Sequence, residues 1–248
     1  MIVFNKLGHM GRMGNQLFQI ASLLGIADKC NQEARINKWE YSQCFPNLKL
    51  STIGEVNYWM FREGHENFFR PETFELKENW QLEGYFQSEK YFEHIKGKVQ
   101  DFFEFAPSIS HYIKKKYQLA LALEPISMHV RVGDFKNIGW YAGDRYYLDM
   151  LTANQGRLVL CFSDDIAYCK RIFAGFENVM YIEENEVHSL CLMSMCKTHI
   201  MSASTFSWWG AWLSGSNSVY YPDVQSGNYP NRDFYPSAWT KINTHTCV

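Results

Sequence analysis

Three stretches of this chain gather residue types that could hold a phosphorylated ligand. The first is Ser127-Met128-His129-Val130-Arg131-Val132-Gly133-Asp134, a short apolar run that ends in an arginine and an aspartate. A guanidinium is planar, always charged and able to grip two oxygens at once, which suits a pyrophosphate. If the run is a strand, its side chains alternate faces. Ser127, His129 and Arg131 then share one face, with Ile126, Met128 and Val130 on the other. His129 and Arg131 would point together at the carboxyl end, where Gly133 turns the chain and presents Asp134. A purely structural Arg131–Asp134 salt bridge is the competing explanation. The second stretch, Ser202 to Leu213, reads S-A-S-T-F-S-W-W-G-A-W-L. Hydroxyls at a strand-to-helix turn combine N-capping with anion binding, because helix N-termini attract negative charge. Phe206 could stack on a base, whereas Trp208, Trp209 and Trp212 have helical spacing and read as core. The third, Gly8 to Gln16, reads G-H-M-G-R-M-G-N-Q. Its glycines permit close approach of a ligand, and Asn15 falls where a helix N-cap is expected. It matches neither the dinucleotide fingerprint nor a P-loop, so a tight turn capped by Asn15 explains it as well as a binding loop does.

A further acidic group, Ser163-Asp164-Asp165, has two readings. Paired acids could suggest a metal-binding motif, but a helix cap by Ser163 or Asp164 is simpler. A carboxylate there could also receive the amino edge of a purine.

The elements that must carry these residues are clearest in the second half. Strands are expected at Ile126–Arg131, Leu158–Phe162, Val179–Ile182, Thr198–Met201 and Ser218–Tyr221. Helices are expected over Asp144–Asn154, Asp165–Phe173, Glu186–Cys196 and Thr205–Ser214. Such alternation is the signature of βαβ units and a parallel sheet, with ligands beyond the carboxyl ends of the strands. In the first half, Ile2–Phe4 reads as a strand before the glycine-rich loop. Leu17, Ile20, Ala21 and Leu24 then form the apolar stripe of a helix, and Tyr91, Ile95, Val99 and Phe102 form another. The aromatic-rich stretch from Trp39 to Tyr85 has no clear period. A boundary near Ala106-Pro107 divides a smaller N-terminal half, residues 1–106, from a nucleotide-binding half, 107–225. Residues 226–248 are expected as a tail packing back on the body.

With 248 residues and a 46% apolar fraction there is ample material for packed cores. A net charge of −2 argues against a nucleic-acid partner, and Lys114-Lys115-Lys116 reads as the wet side of a helix. The seven cysteines are scattered without a CxxC pair and read as reduced, small apolar residues. No apolar run approaches the ~20 residues that span a bilayer. The chain opens on a strand-like segment, so a cytoplasmic protein is expected.

Five blocks occurring in one order carry a resemblance. They are G-R-M-G-N-Q at 11–16, G-Y-F-Q-S-E-K-Y-F at 84–92, H-V-R-V-G-D at 129–134, F-S-D-D at 162–165 and S-T-F-S-W-W-G-A-W-L at 204–213. Together they resemble glycosyltransferase family 11, the α-1,2-fucosyltransferases, over nearly the whole chain. The tryptophan-rich block is the most specific of them. The resemblance implies an α/β, GT-B-like fold of two Rossmann-like halves, with a parallel sheet in the C-terminal donor half and a smaller, irregular N-terminal half. It implies a GDP-β-L-fucose donor, inversion at the fucose C1 without a required metal or other cofactor, and a galactose 2-hydroxyl as the usual acceptor.

By the same resemblance Arg131 would hold the β-phosphate, with His129 beside the nucleotide. Ser204, Thr205 and Phe206 would line the diphosphate and base pocket, Asp164 would meet the guanine edge, and Arg12 and Gly14 would also serve the donor. Asn15 and Gln16 would face the fucose and the acceptor hydroxyl, and Trp140 and Tyr141 could stack on an acceptor sugar ring. Asp134 is the ionisable group nearest the motif that could act as general base, whereas Asn15 could only orient a hydroxyl. Bacterial members usually read H-x-R-R-G-D, and here the second arginine is Val132. On a strand that side chain points away from Arg131, so the phosphate site need not be emptied. Two other functions fit the same residues: transfer from another sugar nucleotide, and non-catalytic binding of a nucleotide or glycan on the same scaffold.

Overall fold

The computed structural model describes residues 1–63, 78–224 and 233–244. They fall into two compact units divided between Ala106 and Pro107, with 233–236 grouped with the first unit and 237–244 with the second.

The second unit begins with helices α3 (Pro107–Lys116) and α4 (Gln118–Ala122). Five strands then alternate with helices. They are β5 (Ile126–Val130), β6 (Val159–Ser163), β7 (Val179–Tyr181), β8 (Thr198–Ile200) and β9 (Val219–Pro222). Between them lie α5 (Gly133–Asn137), α6 (Asp144–Ala153), α7 (Ile166–Ile172), α8 (Glu186–Ser194) and α9 (Thr205–Leu213). A sixth strand, β10 (Thr240–Ile242), pairs with β9. The sheet runs β10-β9-β8-β5-β6-β7 and every pair is parallel. This is the doubly wound order 3-2-1-4-5-6, which reverses direction between β5 and β8.

All five residues of β5 are buried, as expected for a parallel sheet covered on both faces. Ile126, Met128 and Val130 pack with Tyr147, Leu151, Val159 and Phe173 in one core cluster. Trp208 and Trp209 are fully buried on α9, and Trp212 stacks on Trp208 at 5.8 Å, as their helical spacing implies.

Caps correct one detail of the sequence reading. Asp165, rather than Ser163 or Asp164, caps α7 by accepting the Tyr168 N–H at 2.9 Å. Ser163 ends β6 and instead donates to the Val130 carbonyl at 2.7 Å. Asp165→Ala should therefore cost about 1 kcal/mol of stability, read as a lower urea midpoint with an unchanged slope.

The first unit holds a second parallel sheet, ordered β2-β1-β4-β3, from β1 (Ile2–Phe4), β2 (Ala34–Ile36), β3 (Trp59–Arg62) and β4 (Trp80–Glu83). The stretch from Trp39 to Tyr85 thus contains two strands, although residues 64–77 within it lie outside the described residues. Helix α1 (Met13–Lys29) carries the predicted stripe, with Leu17, Ile20 and Ala21 fully buried.

It also buries Gln16, Gln19 and Ser22. Gln19 Nε2 donates to the Met10 and Gly84 carbonyls at 3.2 and 3.1 Å, and Ser22 Oγ donates to the Phe86 carbonyl at 3.0 Å. These polar residues tie two loops to the helix. The stripe from Tyr91 to Phe102 is not one helix. Two 3₁₀ turns, Glu89–Tyr91 and Glu93–Ile95, precede α2 (Lys96–Phe102) because Phe92 departs from helical angles at φ −135°. Among the described residues no helix is long and apolar enough to cross a membrane.

Candidate functional site

The reversal point of the second sheet is where the chemically capable residues collect. Strand β5 delivers His129 near its carboxyl end, and Ser202 follows the neighbouring β8. His129 Nδ1 and Ser202 Oγ stand 2.8 Å apart. Ser207 Oγ donates toward the carbonyls of Ser202 and Ser204 at 3.1 Å and lies 3.3 Å from Ser202 Oγ, so imidazole and hydroxyls form one connected network. Burial, reinforced by the charge of Arg131, lowers the imidazole pKa to about 3, so the ring is neutral at physiological pH. Phe206 lies against it, with ring centroids 5.4 Å apart. Ser204 caps α9 by accepting the Phe206 N–H at 3.2 Å, and Thr205 opens the helix. His129, Ser204, Thr205 and Phe206 are therefore assembled around one helix N-terminus.

Arg131 follows β5 and is held between two carboxylates. Its Nε and Nη2 donate to Asp134 Oδ1 at 3.0 and 2.7 Å, and Nη1 pairs with Asp164 Oδ2 at 3.2 Å. The salt bridge anticipated from the i, i+3 spacing exists, and a third residue completes it. Asp164 is itself fixed: its oxygens accept the N–H groups of Val132 at 2.8 Å and Gly133 at 3.1 Å. This carboxylate braces the start of α5 and the arginine, and a guanine edge would have to share it. A guanidinium has five N–H donors, more than these contacts use. Its side chain is 13% exposed while that of Asp134 is 55% exposed, so Asp134 is the outer member of the pair. Val132, beyond the end of β5, is buried in the core cluster.

Gly133 is a point of close approach. A Cβ there would lie 2.6 Å from Asp164 Oδ2. Gly133→Ala should displace the carboxylate from two N–H groups and the guanidinium, costing about 1–3 kcal/mol. Chemical denaturation, together with a GDP titration showing weakened affinity, would check this.

Trp140 packs edge-on against Phe135 at 5.6 Å. The Tyr141 hydroxyl donates to Asp144, and burial with that bond raises its pKa strongly. Lys136 Nζ stands 5.0 Å from the Tyr141 ring and 3.8 Å from that of Tyr168. Tyr141 is thus engaged by its own neighbourhood rather than presented as an open platform.

In the first unit, the glycine-rich loop turns at Gly11, φ +79°, and Arg12 is extended at the helix N-cap without a side-chain bond. This corrects the expectation for Asn15, which sits inside the first turn of α1 with its N–H bonded to the Arg12 carbonyl at 2.9 Å. Asn15 Oδ1 accepts from Gln87 Nε2 at 3.0 Å. Gln16 is buried, its amide spanning the Gly11 carbonyl at 3.1 Å and the Trp39 indole N–H at 2.7 Å. It holds the loop and does not present itself to a ligand. Arg12 is exposed and Gly14 buried.

Sequence reasoning missed Ser202, Ser207 and Gln87 as site-supporting residues. The strand-to-helix hydroxyl block and the 84–92 block contained all three, but only pairing across strands and loops shows their partners.

Comparison with known proteins is consistent over the whole chain. The family described as glycosyl transferase family 11 matches residues 3–243. An α-1,2-colitosyltransferase of Escherichia coli is 28% identical over 238 residues, 87% of this chain and 82% of that protein. A galactoside 2-α-L-fucosyltransferase of Caenorhabditis elegans is 26% identical, covering 94% of this chain and 75% of its own. Among solved structures, POFUT1 in complex with GDP superposes with a TM-score of 0.61 at 13% identity, covering 98% of each chain. The fucosyltransferase NodZ from Bradyrhizobium gives 0.56 at 13% identity, covering 84% of this chain and 91% of that one. The fold is GT-B-like.

Proposed function

We propose that this chain, which belongs to glycosyltransferase family 11, moves L-fucose from GDP-β-L-fucose to a hydroxyl of a glycan, inverting the configuration at C1. The observation that carries the reading is Arg131, held by Asp134 and Asp164 at the carboxyl end of β5, the strand whose His129 meets Ser202 and Phe206 at the start of α9. A cation preorganised at a strand end suits a leaving diphosphate whose charge grows as the glycosidic bond breaks.

In this reaction the acceptor hydroxyl attacks C1 from the face opposite GDP. Arg131 takes the charge developing on the β-phosphate, and Ser204 and Thr205 offer hydroxyl and backbone donors to the same group. Neutral His129 lines the nucleotide pocket without adding charge to it, and Phe206 supplies an apolar wall for the base. Asn15 orients the acceptor hydroxyl or the fucose. Asp134 is the carboxylate nearest Arg131 and the candidate base. In this reading Arg131 supplies the positive charge at the leaving group, so the proposed step uses no metal. A galactose 2-hydroxyl is the acceptor that fits the names of the relatives, one of which is a galactoside 2-α-L-fucosyltransferase.

The test is GDP release from GDP-fucose, with and without lactose, in EDTA. Lactose-stimulated release that survives EDTA supports the reading. Stronger thermal stabilisation by another sugar nucleotide than by GDP-fucose would replace the donor. The relative named for colitose transfer is the reason to include other GDP-sugars in that panel.

A further inference from the structure

The block Gly84–Phe92 takes no part in the donor chemistry above, yet its first turn is pinned from several sides. Glu63 Oε2 accepts the N–H groups of Tyr85 and Phe86, each at 2.7 Å. Gln19 and Ser22 donate to the carbonyls of Gly84 and Phe86 at 3.1 and 3.0 Å. Phe86 is fully buried at φ +50°, a backbone region unfavourable for a bulky residue. Phe4 and Tyr91 box its ring at 6.0 and 5.3 Å. Strain of this kind persists only where the surroundings over-determine it, and it concentrates at functional positions.

The residue this turn delivers is Gln87, whose Nε2 donates to Asn15 Oδ1 at 3.0 Å. The other end of the Asn15 amide stands over Gly11, where a Cβ would lie 2.1 Å from Nδ2. Any side chain at position 11 would displace it. In this arrangement Gln87 holds the Asn15 carboxamide with Oδ1 toward itself and Nδ2 over Gly11.

We propose that Gln87 is a positioning residue for glycosyl transfer, acting by orienting the amide of Asn15. This rests on the role proposed for Asn15 at the reacting sugar or the acceptor hydroxyl. Gln87 touches neither substrate. Its contribution is to hold a hydrogen-bonding group to one direction, and misplacing such a group by an ångström can cost up to about 100-fold in rate.

The experiment is a double-mutant cycle on kcat, with KM for donor and acceptor measured separately and GDP-fucose affinity measured by calorimetry. Gln87→Ala should lower kcat by roughly 10-fold or more with GDP-fucose affinity unchanged. The Asn15→Ala, Gln87→Ala pair should be no slower than Asn15→Ala alone. Gln87→Glu fills the same volume without an N–H donor, so it should be as slow as Gln87→Ala, whereas a residue serving only as packing would be rescued by it. In protein labelled at asparagine, the Asn15 side-chain amide signals should shift in both Gln87 variants. A Gln87→Ala enzyme with wild-type kcat, a rescue by glutamate or an additive double variant would overturn the proposal. A wild-type protein that binds GDP-fucose but transfers to no acceptor would instead overturn the reading of the reaction, and the role of Gln87 with it.

Discussion

Arg131→Ala is expected to reduce acceptor-stimulated GDP release by about 100- to 1,000-fold, the range seen when one preorganised donor to a developing charge is removed. The side chain is held at three nitrogens by Asp134 and Asp164 before any ligand arrives. Its orientation is therefore settled without a cost at the moment of reaction. Arg131→Lys should recover little, because an ammonium cannot span two carboxylates and a phosphate in the guanidinium's fork geometry.

The fold should survive either change. Asp164 keeps its bonds to the N–H groups of Val132 and Gly133, and Asp134 is more than half exposed. The measurements are initial rates of GDP release and a GDP titration, with urea unfolding as the control for folding. An Arg131→Ala protein that folds and releases GDP at near wild-type rates would remove Arg131 from the phosphate site.

The second large effect is on stability against acid. His129 and His199 are both buried, and burial is the first cause of their low pKa values, about 3 and about 4. Arg131 adds to the shift of His129. Lys197 adds to that of His199, while a backbone bond to Cys196 opposes it. In the unfolded chain each imidazole takes up a proton near pH 6.5. Below that pH the unfolded chain binds protons that the fold refuses, so stability present above pH 6.5 is lost as pH falls toward 4.

The two residues together account for a loss on the order of 5 kcal/mol by pH 4, comparable to the whole stability of many domains. Glu63 works the other way. Burial outweighs its two backbone hydrogen bonds and raises its pKa, so its contribution improves as pH falls. It is one group against several, since His94 and the paired carboxylates Glu33, Glu83, Glu183 and Glu184 are also held below their usual values. Urea midpoints measured at constant ionic strength should therefore drop steeply between pH 6.5 and 4. His199→Gln should flatten that slope without touching the phosphate site. Midpoints that hold steady from pH 7 to pH 5 would show that the two rings are not buried neutral.

Much of the second unit was legible along the chain because its signals are local. Apolar runs of strand length alternate with helical stripes, so β5 to β9 and helices α6 to α9 fall close to their expected ranges, whereas the short α5 was not expected. The Arg131–Asp134 pair spans one turn of chain, and the tryptophan spacing on α9 declares a buried face. The resemblance of five ordered blocks added the family, which no single spacing carries. Caps were less legible: Ser163, Asp164 and Asp165 are all competent, and the end of β6 decided among them.

The first unit hid more. Strands β3 and β4 lie in aromatic-rich sequence without a clean alternation, and β10 is a three-residue edge strand recognisable only by its pairing with β9. Buried glutamines on α1 look like surface residues until the Gly11 and Gly84 carbonyls that they bind are known.

The sequence specified which chemical groups the chain owns and which strand ends or loops carry them, since side-chain alternation, helical periodicity and turn chemistry all act within a few residues. Only the tertiary structure brought Asp164 to Arg131, Ser202 to His129 and Gln87 to Asn15. Those partners meet across neighbouring parallel strands or across a loop and a helix. Their meeting depends on strand order and register, which are set by burial of the whole sheet rather than by any local run of residues.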